Sequence, residues 1–154
     1  MKKVTVLLFI AMLYLAPSTL FSQSGCVMNY EPNENFNSSR TLNGMSDLPT
    51  VTKTVYGGIN SSTDVDFYSV LITTPGSTVQ VDLTNLPKSY GITLYYFGWG
   101  SPFVLKSDLS YGTSDKSVIF YGGNSGTYYI RINSPYEEYD LNNCYTLTAS
   151  VTER

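Results

Sequence analysis

The chain has 154 residues, two cysteines, fourteen tyrosines and no histidine, with a formal net charge of −3. The lack of histidine excludes Ser-His-Asp and Cys-His nucleophilic catalysis and removes the commonest side-chain metal ligand, so an enzyme is not expected. The acidic balance disfavours surfaces that present phosphate, so neither nucleic acid nor an anionic membrane face is an expected partner.

Residues 1–22 read as a secretory signal peptide. Lys2 and Lys3 precede a largely apolar run from Val4 to Leu15, Pro17 breaks it, and Ser22 offers a small residue before the cut. The run is short of the ~20 residues needed to span a bilayer, so cleavage is expected and no membrane insertion after it. Lipoprotein processing at Cys26 is the alternative, and Gln23 stands against it where such signals usually carry an aliphatic residue. Cleavage removes Lys2 and Lys3, leaving seven basic residues against twelve acidic and a net charge of −5. Residues 23–154 then make one domain, exported to the periplasm, the cell surface or the medium. Cys26 and Cys144 lie near the two ends of the exported chain. An even count in an oxidising compartment predicts that they form a disulfide rather than two independent thiols.

The lead-in from Asn29 to Asp47 is polar, rich in Asn and Ser, and lacks both helical and strand periodicity, so it reads as irregular chain crossing the surface. Short β-branched and aromatic runs follow, predicting strands over 50–56, 66–73, 78–84, 92–97, 103–105, 116–121, 127–133 and 144–152. Gly57-Gly58, Pro75-Gly76, Gly98-Trp99-Gly100, Gly122-Gly123 and Asn142-Asn143 separate them. About eight strands with this spacing predict an all-β fold, an antiparallel and jelly-roll-like β-sandwich closed by hairpins. Alternation turns Tyr68, Val70 and Ile72 inward, with Val79, Val81 and Leu83, then Ile92, Leu94 and Tyr96. The same rule turns Tyr128, Ile130 and Ile132 inward, with Tyr145, Leu147, Ala149 and Val151. Tyr95, Phe97, Tyr129 and Arg131 are left on the opposite faces.

Two groups of residues are candidates for a site. Glu31, Asn33, Glu34, Asp64 and Asp66 are hard oxygen donors of the kind calcium takes six to eight at a time, and calcium is abundant outside cells. The ordinary reading is that they are solvated residues ending strands. The spacing of two between Asp64 and Asp66 puts both on one side of a strand end, which suits a metal or a capped turn better than a glycosidase pair across a cleft. Tyr95, Phe97, Trp99, Tyr129 and Arg131 form the second group, a candidate ligand-binding face suited to stacking on sugars or packing along an extended polypeptide. Burial of that face under the lead-in or the second sheet is the alternative. Gly123-Asn124-Ser125-Gly126 lacks the Gly-x-Ser-x-Gly spacing of a serine nucleophile and reads as a turn. Asn37-Ser38-Ser39 and Asn60-Ser61-Ser62 match the N-glycosylation pattern, but the signal peptide reads as bacterial and they carry no weight.

Five short motifs occur in a familiar order: Glu31-Pro32-Asn33-Glu34, Gly58-Ile59 with Asp64-Val65-Asp66-Phe67-Tyr68, Leu86-Pro87 with Ile92-Thr93-Leu94-Tyr95, Gly126-Thr127-Tyr128-Tyr129-Ile130-Arg131-Ile132, and Tyr145-Thr146-Leu147. From about Tyr30 to Val151 the chain thereby resembles the bacterial pre-peptidase C-terminal domain family, which is related to clostridial collagen-binding domains. The resemblance implies a β-sandwich module without catalysis, and calcium held by acids of the lead-in and the strand that follows it. The chain departs from the family at Ser89-Tyr90-Gly91-Ile92, where relatives commonly carry aspartates, and with residues 1–22 read as a signal peptide no catalytic domain is expected before it. The expectation is a secreted binding or accessory module that contacts an extracellular polysaccharide or protein, or a partner exoprotein. The alternative is a structural or assembly component of the cell envelope with no ligand groove. Calcium is the one cofactor in question.

Overall fold

The computed structural model describes residues 31–42, 50–98 and 100–153. The signal peptide, Cys26 and Trp99 therefore lie outside the described residues. Nine strands run in chain order: β1 (Arg40–Thr41), β2 (Thr50–Gly57), β3 (Val65–Ile72), β4 (Ser77–Thr84), β5 (Gly91–Gly98), β6 (Ser101–Asp108), β7 (Lys116–Gly123), β8 (Gly126–Asn133) and β9 (Tyr145–Thr152). They form an all-β sandwich of two sheets, one in the order β1-β3-β8-β5-β6 and the other β2-β9-β4-β7. Every pairing is antiparallel except the two-residue pairing of β1 with β3.

Two expectations change here. β1 adds a strand inside the segment read as irregular, because a two-residue pairing leaves no periodicity to detect. Hairpins are also fewer than expected: β5 and β6 are consecutive and paired, whereas the other links between β2 and β9 cross from one sheet to the other. A Gly- or Asn-rich turn looks the same in sequence whether the chain returns beside itself or arches over the core.

Strict alternation builds the core. β4 and β9 bury every second residue from end to end, and Val79, Val81, Leu83, Leu147, Ala149 and Val151 are all closed to solvent. Facing them across the sandwich are Val70, Ile72, Ile92, Leu94, Ile130 and Ile132. Tyr96 is the one inward-assigned side chain that stays half-buried, near the mouth of a cleft it lines with Phe97, Phe103 and Asn124. The outer face of β2 and β9 is a ladder of hydroxyl pairs, Thr52 with Ser150 at 2.9 Å and Thr54 with Thr148 at 3.0 Å. Cross-strand hydroxyl pairs of this kind let a polar face stay in water without loosening the sheet.

Candidate functional site

The start of β3 and the lead-in meet at one corner of the sandwich. Before β3, the 60–64 turn is closed by the Asp64 carboxylate, whose Oδ2 accepts from Asn60 N at 2.6 Å. Residues 64, 66 and 68 share one parity, so Asp64 and Asp66 point the same way as the buried Tyr68. The lead-in runs alongside, tied to β3 by Phe67 N donating to Asn33 O at 2.7 Å and Leu42 N donating to Ser69 O at 2.8 Å. Its single turn of 3₁₀-helix, Phe36–Ser38, is fixed by a capping box between Asn35 and Ser38.

This geometry brings Glu31, Asp64 and Asp66 together, with one carboxylate oxygen from each lying within 4.8 Å of the others. Asn33 stands behind them, fully buried, and neither its side-chain oxygen nor its nitrogen makes a hydrogen bond. The amide lies close enough to Asp66 to act as a weak hydrogen-bonding neighbour that favours its charged form, although no contact of either amide atom reaches full hydrogen-bond geometry. A buried amide left unsatisfied costs about 1–3 kcal/mol, so such a group normally has a partner. Three carboxylates and an unpartnered amide oxygen are the donor chemistry that calcium selects, so the residues fit the ion. Glu34, the fifth expected donor, is exposed and outside the trio, although its charge raises the pKa values of Glu31 and Asp64.

Crowding of like charges away from water governs the electrostatics. Burial, followed by the charges of Asp64 and Glu34, pushes the Glu31 carboxyl up to about 7. Burial likewise lifts Asp66 to about 7 against a hydrogen bond from Tyr145 that favours its charged form, and it raises Asp64. Behind Asp66 the network continues inward: the Tyr145 hydroxyl donates to Asp66 Oδ2 and lies 2.8 Å from the Tyr68 hydroxyl. Gly57 leaves room for these two rings, since a Cβ there would clash with the Tyr145 hydroxyl and fall 2.6 Å from that of Tyr68. Gly57, expected to begin a turn, is thus the buried last residue of β2. With Asp66 2 % exposed, no sugar ring can reach between it and Asp64 as a glycosidase pair would require.

The second expected group lies on the outer face of the β3-β8-β5 sheet. β5 and β8 are neighbours, with Tyr95 directly opposite Tyr129 and Arg131 opposite Thr93. Phe36 from the lead-in lies on this face. Its ring centroid is 4.7 Å from Phe67, 5.2 Å from Tyr129, 5.4 Å from Tyr95 and 6.1 Å from Phe97. Tyr95, Tyr129 and Arg131 are half-buried, and Phe97 stays 44 % exposed. The lead-in therefore caps the middle of the face and leaves its rim open. Sequence reading missed Phe36 because a lone aromatic in an Asn- and Ser-rich segment carries no periodicity.

No protein-family model matches the chain, and no curated protein matches it. Among solved structures it is similar to PliG of Aeromonas hydrophila, a periplasmic inhibitor of g-type lysozyme, at 11 % identity and a TM-score of 0.48, over 74 % of this chain and 94 % of that one. It is also similar to the pre-peptidase C-terminal domain of a Bacillus anthracis collagenase, at 16 % identity and a TM-score of 0.45, over 66 % and 90 % of the two chains. Salmonella Typhimurium PliG is similar at 15 % identity and a TM-score of 0.42, over 74 % and 96 %. Among the described residues no helix is long and apolar enough to cross a membrane.

Proposed function

We propose that the protein is an exported, non-catalytic binding module whose lead-in is fixed to the sandwich by a calcium ion. Glu31, Asp64, Asp66 and the Asn33 side-chain oxygen are the ligands, with Glu34 adding negative charge nearby. The observation that carries this reading is the gathering of three carboxylates within 4.8 Å beside a fully buried amide that has no partner. The ion neutralises a corner where folding otherwise forces carboxyl groups to keep their protons. Fixing the lead-in also fixes Phe36, and with it the rim formed by Tyr95, Phe97, Tyr129 and Arg131. That rim is the face proposed to contact an extracellular protein or polymer, and Trp99, which follows β5 in the chain, is included in the proposal.

The face is tested by titrating the fluorescence of Trp99, the sole tryptophan, with collagen, chitin, cellulose and peptidoglycan fragments, with calcium and with chelator. The reading predicts a saturable response to one of them that calcium strengthens and that Tyr95→Ala or Tyr129→Ala removes. Silence toward all four, with envelope binding unchanged in both variants, removes this face from the function.

A further inference from the structure

A second surface lies at the end of the sandwich where β6 and β8 finish and β7 and β9 begin. Three loops meet there, spanning residues 85–90, 109–115 and 134–144, and buried Ser89 joins them. Ser89 N donates to Glu138 Oε2 at 2.8 Å, Ser89 Oγ accepts from Gly112 N at 2.9 Å, and Ser89 O accepts from Ser134 Oγ at 2.9 Å. Ser134 Oγ in turn accepts from the backbone nitrogens of Tyr136 and Glu138, and Glu137 is held at φ 60. A non-glycine residue stays in that region only where its surroundings dictate it, so the 134–138 turn has a set shape.

This frame presents aromatic side chains to solvent. Tyr111 is 71 % exposed and Tyr136 45 %, yet their rings pack edge to face with centroids 4.9 Å apart. Their hydroxyls are tied back, Tyr136 to Leu109 O at 3.2 Å and Tyr111 to Glu138 Oε1 at 3.4 Å. Ordered, exposed tyrosines offer large contact area at small entropic cost. The setting is acidic: the three loops carry Asp115, Glu137, Glu138 and Asp140, with Asp115 and Glu137 exposed. Lys88 is the one cation on these loops, and Lys116, which opens β7, is buried with its amine on Ser110 O at 2.7 Å.

We propose that this loop surface, centred on Tyr111 and Tyr136 and rimmed by Asp115, Glu137 and Glu138, docks a folded protein through a lysine- and arginine-rich face. The carboxylates steer and orient the cationic partner, while the tyrosine faces take its Lys and Arg side chains. An uncharged glycan has no use for the rim, and an anionic polymer is repelled by it. The proposal rests on the reading of the chain as a binding module but uses none of the residues of the calcium site or of the Tyr95 face.

The test is binding of the full exported chain to cytochrome c as a basic globular probe, with lysine-acetylated cytochrome c and polylysine as controls. The expected result is binding that weakens roughly tenfold from low to physiological salt and is absent for the acetylated probe. Tyr111→Ala, Tyr136→Ala and the pair Asp115→Lys with Glu137→Lys should each weaken it roughly tenfold, while Tyr121→Ala, equally exposed on β7, changes nothing. Melting curves identify any misfolded variant, and Tyr136→Phe, which keeps the ring, then takes the place of Tyr136→Ala with a smaller loss expected. Failure to bind native cytochrome c, equal binding of the acetylated form, equal binding of polylysine, or full affinity in the loop variants overturns the proposal. Chelator and Tyr95→Ala leave this binding intact, so its failure is distinguishable from failure of the calcium-site reading.

Discussion

At the residue scale, the carboxylate corner depends on a few positions with little tolerance. Gly57 is the clearest, because any side chain there meets two buried tyrosine hydroxyls that cannot retreat without breaking the contact with Asp66. Gly57→Ala should cost about 1–3 kcal/mol, as overpacking does elsewhere. Urea denaturation measures it, and an unchanged midpoint contradicts the packing described. Titration gives a second prediction. Glu31 and Asp66 hold their protons to about pH 7 when folded, against about pH 4 in an unfolded chain. The folded state then binds the extra protons, so the contribution of these groups is complete below about pH 4 and is lost as pH rises to about 7. In chelator, the melting temperature should therefore fall between pH 5 and pH 7, and Asp66→Asn should flatten the slope. A melting temperature that rises over that interval in chelator, and does so equally in the variant, contradicts the assigned shifts.

At the element scale, the strands were legible because period-2 alternation is the strongest signal that a half-buried sheet can write. Val79-Gln80-Val81-Asp82-Leu83 and Tyr145-Thr146-Leu147-Thr148-Ala149 each display their buried face directly, and their bounds differ from the expected ones by one residue. β6 was legible only in part, over 103–105 instead of Ser101–Asp108, because its bulge skips Leu105 in the pairing and interrupts the alternation. The lead-in was the least legible element. Its order comes from single contacts, the Asn35 cap, the pairing with β3 and the Phe36 ring, none of which repeats along the chain. Phe36→Ala removes a ring that touches four others and should lower stability by about 1–3 kcal/mol. It should also weaken calcium binding, because Glu31 and Asn33 stand on the same segment. Calorimetry on the variant checks both, and calcium affinity equal to that of the parent chain contradicts the coupling of cap to cation.

At the scale of the whole molecule, β9 begins beside the corner that the cation is proposed to hold, where Tyr145 meets Asp66, and ends at the far end of the sandwich, where Glu153 meets Thr73 and Thr74. Cys144 stands one residue before β9, which pairs with β2, while Cys26 lies outside the described residues. A Cys26–Cys144 bridge closes a loop on the order of 100 residues, for which chain entropy gives about 4–5 kcal/mol. Alkylation of the denatured exported protein without reductant should label neither cysteine, and labelling of both rules the bridge out. The acids of the proposed metal site are visible in the sequence as residue types, but the grouping of Glu31 with Asp64 and Asp66 depends on β3 running beside the lead-in, which no local pattern encodes. The loop surface around Tyr111 and Tyr136 went unread for a related reason, since its order comes from the single buried Ser89 bridging three loops. The measurement closest to the central claim is the melting temperature in millimolar calcium and in chelator at neutral pH, on the parent chain and on Asp64→Asn. The account predicts a higher melting temperature in calcium for the parent and a much smaller difference for the variant. Superimposable curves for the parent in calcium and chelator would contradict it.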